Sequence, residues 1–411
     1  MVKVKEKKLL VYIRIFSVIC VIILCFELGY LINNKYFNFG ESIYFDSINA
    51  IDSIDDGFVA VGSNNNNEMY YEKAKLSFYD EKYNKKLDKI YNKGYNSVFF
   101  DVESFENGII AVGSFEKDNI EHEDEFRSAL IVKYDYSGNI IFENSFSILD
   151  NSKFMAVDIY DDSYFVVGQS IYDELTLGNS SKGGAFLLKY DKDGNVVWKS
   201  NFGDNKSAIY NDLYVTDDYI FVVGCNFNNI GILAKYDHDG KLIDYVEYEF
   251  TDEFGFTSIK FFDDILFVSG GKKTHDEIDA VIVKYDSDCN YISEETFDND
   301  FNERFNKLIL DDNDSLVAIG SISMYDKDKN NKDLNVLHYD GVIAKYKMDL
   351  QLIKSVYYGD DNDDYFTDIL LSDNRYLVSG YSSYTDNSYM SKFVVYSDAL
   401  KVLEVKWWKL H

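Results

Sequence analysis

Ala185 to Gly224, AFLLKYDKDGNVVWKSNFGDNKSAIYNDLYVTDDYIFVVG, decides the fold. It contains four short apolar runs, AFLLKYD, NVVWKSNF, AIYNDLYV and YIFVVG, separated by turn residues, and each run reads as a β-strand. YIFVVG is apolar on both faces, as a strand inside a packed sheet should be. Asp193-Gly194 predicts a tight hairpin with positive φ at both central positions, which Gly accepts freely and Asp tolerates. A second turn falls at Asp217-Asp218. We letter the strands of one unit a (AIYNDLYV), b (YIFVVG), c (AFLLKYD) and d (NVVWKSNF), so the stretch joins strands c and d of one unit to a and b of the next.

The plan recurs along the chain. A glycine closing strand b falls at Gly62, Gly113, Gly168, Gly224, Gly270, Gly320 and Gly380, with gaps of 51, 55, 56, 46, 50 and 60 residues. A second marker, the tyrosine of a KYD-like triplet in strand c, falls at Tyr79, Tyr134, Tyr190, Tyr236, Tyr285, Tyr346 and Tyr396, one after each glycine. Two markers in phase at a period near 50, with several strands per period, predict an all-β fold: a seven-bladed β-propeller of four-stranded antiparallel blades. A helical solenoid would need a 3.6-residue periodicity instead.

The motifs KYDKDGNVVWKSNFGD, within Ala185 to Asp204, and ALIVKYDYSGNIIFENSF, Ala129 to Phe146, resemble the bacterial SBBP-type propeller repeats, which read roughly FLAKYDSNGNLQW…FGG…DxxYSIAVDSSGNVYVTG. The resemblance covers about residues 42 to 411 and implies the propeller fold; such repeats occur in surface proteins of unlike function, so it implies no activity. Tyr346-Lys347-Met348 and Tyr396-Ser397-Asp398 depart from the pattern by losing the Asp-Gly turn.

Residues 1–32 are of another kind. Lys3, Lys5, Lys7 and Lys8 precede Leu9 to Ile32, a mostly apolar run interrupted by Arg14 and Glu27. As a helix the run reaches roughly 36 Å, enough to cross a hydrocarbon core of about 30 Å. The expected organisation is a cytoplasmic basic tail (1–8), one transmembrane signal anchor (9–32), a linker (33–41) and an extracellular propeller (42–411). A cleaved signal peptide wants a shorter apolar core and a small-residue cleavage site, and none is visible. A lipoprotein reading of Cys20 or Cys25 meets Ile19 and Leu24 where a small residue is needed.

The whole chain carries a formal charge of −30, and residues 1–32 hold five basic and two acidic side chains, leaving about −33 on the rest. Such a surface excludes nucleic acid and disfavours anionic lipid. Proline is absent and aromatic residues make up 17%; an AT-rich coding sequence accounts for part of both. Cys225 and Cys289 fall at opposite ends of the strand meander, so no disulfide between them is expected.

Strand direction places the a–b and c–d turns on one face of the ring. The d–a links and the long b–c loops, Asn64 to Lys73, Phe115 to Arg127, Ser170 to Gly184, Gly271 to Asp279, Ile322 to Gly341 and Ser382 to Lys392, collect on the other. Variable loops on a rigid ring are where binding resides. Eight aromatic residues there, Tyr70, Tyr71, Phe115, Tyr172, Tyr325, Tyr339, Tyr384 and Tyr389, are the candidate ligand surface, since tyrosine joins an apolar face to a polar tip. Codon usage and packing between blades are the bland explanation for such residues. Asp360, Asp361, Asp363 and Asp364 form the candidate cation site, with calcium the hard ion that clustered carboxylates would collect; a solvated acidic run is the alternative. The DKDGN turns lack the ligand spacing of a calcium loop, and His122, His275 and His338 lack transition-metal spacing. No nucleophile elbow or phosphate loop is present. The expected function is a monomeric, membrane-anchored ring that binds an extracellular protein, peptide or glycan without a cofactor. An extracellular polysaccharide-active or metal-dependent enzyme is the alternative. The short linker, at most about 30 Å, is expected to set the long-loop face toward the membrane; the alternative is that Tyr36 to Gly40, YFNFG, which echoes the NFG ending strand d, pairs there and brings the linker in from the opposite face.

Overall fold

The computed structural model describes residues 45–65, 71–106, 108–116, 127–148, 151–171, 183–202, 208–226, 230–249, 255–274, 277–299, 302–327, 335–359, 362–385 and 388–407. The proposed anchor, Leu9 to Ile32, lies outside them. Among the described residues every regular element is a β-strand. The strands form repeated four-stranded antiparallel meanders in the order a, b, c, d. Three stand as separate sheets, and the rest join in pairs as two eight-stranded sheets. Each junction is a single parallel residue pair, Phe45 with Tyr389 or Arg127 with Asn151.

The inner strands are Phe45–Ile54, Tyr95–Phe105, Asn151–Tyr160, Ala208–Val215, Phe256–Phe262, Glu303–Leu310 and Asp364–Ser372. Each touches the next, and the last touches the first, so they form a closed circuit from which the meanders radiate. This is the architecture of a β-propeller. Ring closure needs no strand exchanged between the chain ends among the described residues: Thr367 Oγ1 donates to Ile48 O at 2.8 Å, and Ile51 N to Asp368 Oδ2 at 2.8 Å.

Both sequence markers have a structural cause. Every inner strand carries a bulged residue in its pairing with strand b beside which the marker glycine pairs, and Tyr95–Phe105 has a second irregularity between Tyr95 and Val98. A Cβ on Gly224 would stand 1.9 Å from Ile209 O, so the bulge itself demands glycine. The marker tyrosines close strand c at a second bulge, in its pairing with strand d. All are buried, from Tyr236 at 0% to Tyr285 at 3% exposure.

Packing between meanders is aromatic. In six of the seven inner strands the residue before the bulge is aromatic and meets an aromatic residue at the end of the preceding strand d: Tyr91 with Phe99, Phe146 with Phe154, Phe202 with Tyr210, Tyr248 with Phe256, Phe297 with Phe305 and Tyr358 with Phe366, at 5.5 to 6.1 Å between centroids; in the first, Ile48 holds the position. Such pairs add about 0.5–1.5 kcal/mol each beyond their buried area.

Two turn expectations change. At Asp193-Gly194 only Gly194 has positive φ, at 86°. Gly194 N donates to Asp191 O, and Asp191 N to Asn195 O, so the hairpin is a type I turn followed by a left-handed residue at the bulge. The paired positive φ expected there belongs instead to a–b turns such as Asp161-Asp162, at 47° and 55°. The last repeats keep the c–d geometry without glycine: Leu350 and Leu400 take φ of 70° and 53° and bury their side chains in the core. Cys289 does the same in its turn, while Cys225 is half-buried; both are free thiols, and burial pushes them up to about 12 and about 11.

Candidate functional site

The bulges turn selected side chains toward the axis. The bulged residues Asn49, Phe100, Met155, Asn211, Thr257, Asn306 and Thr367 are all half-buried, and all but Asn306, whose neighbour Lys307 is also half-buried, lie between buried neighbours, which marks them as channel-lining. Five also bind the neighbouring inner strand: Asn49 Nδ2 donates to Phe99 O at 2.7 Å, Asn211 Nδ2 to Phe256 O at 2.8 Å, Thr257 Oγ1 to Phe305 O at 2.7 Å, Asn306 Nδ2 to Phe366 O at 2.8 Å, and Thr367 as above. Just beyond them a charged belt faces the axis. Asp101 accepts from Val157 N at 2.9 Å, Asp212 from Ile259 N at 3.0 Å and Asp368 from Ile51 N, each across a meander boundary. Lys307 Nζ stands 3.6 Å from Asp212 Oδ1. The next layer holds Asp52, Glu103, Asp158 and Lys260; Asp52 and Asp158 accept from Ser104 N at 2.6 Å and Val215 N at 2.7 Å.

Burial sets the electrostatics of the belt. It pushes Asp101 up to about 7, against the pull of Lys307, and raises Asp52, Asp158 and Asp368. Glu103 goes well above its ordinary value through burial and the charges of Asp52, Asp101 and Asp158. Burial opposes the charge of Lys307, yet Asp212, Asp101 and Asp368 raise it above the usual lysine value. Asp212 pairs with this cation, and Asp101 and Asp368, on two further inner strands, feel its charge.

The long-loop face carries a different surface. Tyr365 and Tyr381 are directly paired across strands, and Tyr389 lies diagonally beyond. Centroids step from Tyr339 to Tyr365 at 5.3 Å, to Tyr381 at 5.1 Å and to Tyr389 at 5.5 Å. All four are half-buried, unlike the marker tyrosines. Burial raises Tyr365 and Tyr381, with Asp363 adding to the effect, so both remain neutral phenols. A cavity of about 280 Å³ opens beside the row, lined by Ile278, Asn302, Arg304, Ser321, Tyr339 and Tyr365 together with Glu303.

Of the eight aromatic residues singled out in the sequence, this geometry gathers Tyr339 and Tyr389. Tyr71 is exposed at 42% elsewhere on the face, and Phe115 packs edge-on against Tyr91. Tyr325 and Tyr384 fall on strands, and their side chains lie outside the described residues, as do Tyr70 and Tyr172. Sequence reading missed Tyr365, Tyr381 and Arg304 because they sit on strands, where an aromatic or long side chain reads as packing. The signal was their position: Arg304 and Tyr365 both stand fifteen or sixteen residues before a marker glycine, on the axis-facing side of the inner strand. Several long loops are also more regular than expected. Strands Ser315–Lys327 and Asn335–Lys347 stay paired out to Lys327 and Asn335, and Arg375–Thr385 and Ser388–Ser397 out to Thr385 and Ser388.

The acidic quartet divides. Asp364 is 1% exposed and is bound by Lys392 Nζ and Ser382 Oγ, and Asp363 Oδ1 accepts from Tyr339 N at 3.0 Å. Asp360 and Asp361 lie outside the described residues. His338 faces Asp340 at 3.4 Å, while His122 and His275 lie outside the described residues. Among the described residues no three His, Cys, Asp or Glu side chains are grouped to hold a metal.

No protein-family profile and no curated protein matches the chain. Among solved structures, the chain is similar to Chaetomium thermophilum Sqt1 bound to the N-terminus of ribosomal protein L10, with 12% identity, a TM-score of 0.47 and coverage of 82% of this chain and 96% of that one. It is also similar to a mutant of the Synechocystis apocarotenoid oxygenase, with 9% identity, a TM-score of 0.48 and coverage of 83% and 85%. The fold assignment rests on the strand circuit of this chain.

Proposed function

We propose that the chain is a seven-bladed β-propeller, residues 42–411, held at the cell surface by a single-pass anchor at Leu9 to Ile32, and that its long-loop face binds an extracellular protein, peptide or glycan. The row of four half-buried tyrosines beside an open cavity carries this reading. Tyrosine supplies rigid, amphipathic contact area at small entropic cost, and buried aromatic anchors dominate binding energies. The acidic remainder of the surface keeps a monomeric ring soluble. The anchor rests on the mostly apolar run Leu9 to Ile32, and the orientation on the basic residues before it.

Peptide and glycan arrays probed with the full-length chain in lipid nanodiscs test the reading. Tyr365→Ala and Tyr381→Ala should each weaken a captured ligand by about tenfold or more. A captured ligand indifferent to both substitutions would overturn it.

A second reading, an extracellular polysaccharide-active enzyme, draws on the axial carboxyls, because a carboxyl at about 7 near the Lys307 cation can act as a general acid. Under it Asp101→Asn would abolish turnover and leave loop-face binding intact. Under the binding reading the same substitution changes stability alone.

A further inference from the structure

We infer that the cavity beside the tyrosine row takes the carboxylate of an acidic residue in an extended peptide; this rests on the binding reading above and names the chemistry of its ligand. The cavity, at about 280 Å³, has room for one side chain. Its polar lining is rich in donors. Arg304 brings the planar guanidinium, a fork that matches a carboxylate. Asn302 Oδ1 accepts from Ile278 N at 2.8 Å, and its amide also carries two N–H donors. Ser321 adds a hydroxyl. Among the described residues lining the cavity, Glu303 is the carboxylate, and at 1% exposure it is almost wholly enclosed. Tyr339 and Tyr365 form an apolar wall against which the methylenes of a glutamate would lie.

A peptide fits better than a sugar because of what rises next to the cavity. Strand Asn335–Lys347 pairs with its outer neighbour only from Gly341 onward, whereas its inner pairing runs back to Asn335. Residues 335–338 therefore present one edge of backbone without a strand partner among the described residues, just above Tyr339. An extended peptide can add to such an edge and drop one side chain into the cavity.

The test uses the full-length chain and ligand-observed NMR titration with three probes: acetyl-Gly-Glu-Gly amide, the matched Gln peptide, and glucuronate. The Glu peptide should bind about tenfold or more tightly than the Gln peptide, since an Arg–carboxylate contact exceeds a neutral hydrogen bond by about that factor. Arg304→Gln should remove the difference. Equal binding of the two peptides, no measurable binding of the Glu peptide, or tighter binding of glucuronate would each overturn the inference. If Arg304→Gln does not fold, the wild-type comparison of the three probes still decides. Capture of neutral peptides in a Tyr381-dependent manner would leave the binding reading standing and the carboxylate inference rejected.

Discussion

Gly224 and Gly240 show how single residues hold this fold for different reasons. Gly224→Ala forces a Cβ against the Ile209 carbonyl at 1.9 Å and should destabilise the ring by roughly 3 kcal/mol or more in denaturant unfolding. Gly240 combines a φ of 80° with the face of Trp198, whose Cε3 lies 2.6 Å from where a Cβ would be. In a later repeat Ser293 holds the strand-d register of Trp198, and the turn that follows places a buried Leu350 in the same left-handed position. Trp198 with Gly240 and Ser293 with Leu350 are two combinations at one position. Gly240→Leu should therefore be strongly destabilising, and adding Trp198→Ser should recover part of the loss. A double mutant no more stable than Gly240→Leu alone would contradict this complementarity.

Across elements, what the sequence made legible follows from which constraints leave a residue-level trace. The bulge needs glycine and the strand-c bulge buries tyrosine, so strands b and c could be placed from letters alone. The latches that join meanders leave no comparable trace, because Asn49, Asn211, Thr257, Asn306 and Thr367 share a position without sharing an identity. Asn211→Ala should cost about 1–2 kcal/mol, the loss of a half-buried hydrogen bond to Phe256 O, and should raise amide exchange in both Ala208–Val215 and Phe256–Phe262. Exchange confined to the mutated strand would show that the latch does not couple them. The candidate site was half legible for the same reason. Tyr339 and Tyr389 stood in segments read as loops, while Tyr365, Tyr381 and Arg304 required knowing which side of an inner strand faces the axis.

At the scale of the whole molecule, charge governs the response to pH. The axial carboxyls Asp52, Asp101, Glu103, Asp158 and Asp368 all titrate higher in the folded ring than in an unfolded chain, near 3.9 to 4.3. The folded state then binds more protons than the unfolded one, and stability rises as pH falls from about 7 toward 4. The turn residues Asp135, Asp191 and Asp286, lowered by hydrogen bonds from asparagine and backbone, work in the other direction, and their contribution is lost only below about pH 4. The melting temperature should be higher at pH 5 than at pH 8, by about 3 °C or more, and Asp101→Asn should shrink the difference. Lys307→Met removes the axial cation and should destabilise more at pH 8, by roughly 3 kcal/mol, than at pH 5.

The central claim is that this ring binds through its long-loop face. Hydrogen–deuterium exchange of the full-length chain with and without an array-selected ligand measures it directly. The prediction is protection at 335–340, 363–366 and 379–391, around Tyr339, Tyr365, Tyr381 and Tyr389. Protection confined to the opposite face, at turns such as Asp161-Asp162 and Asp191 to Asn195, would contradict it.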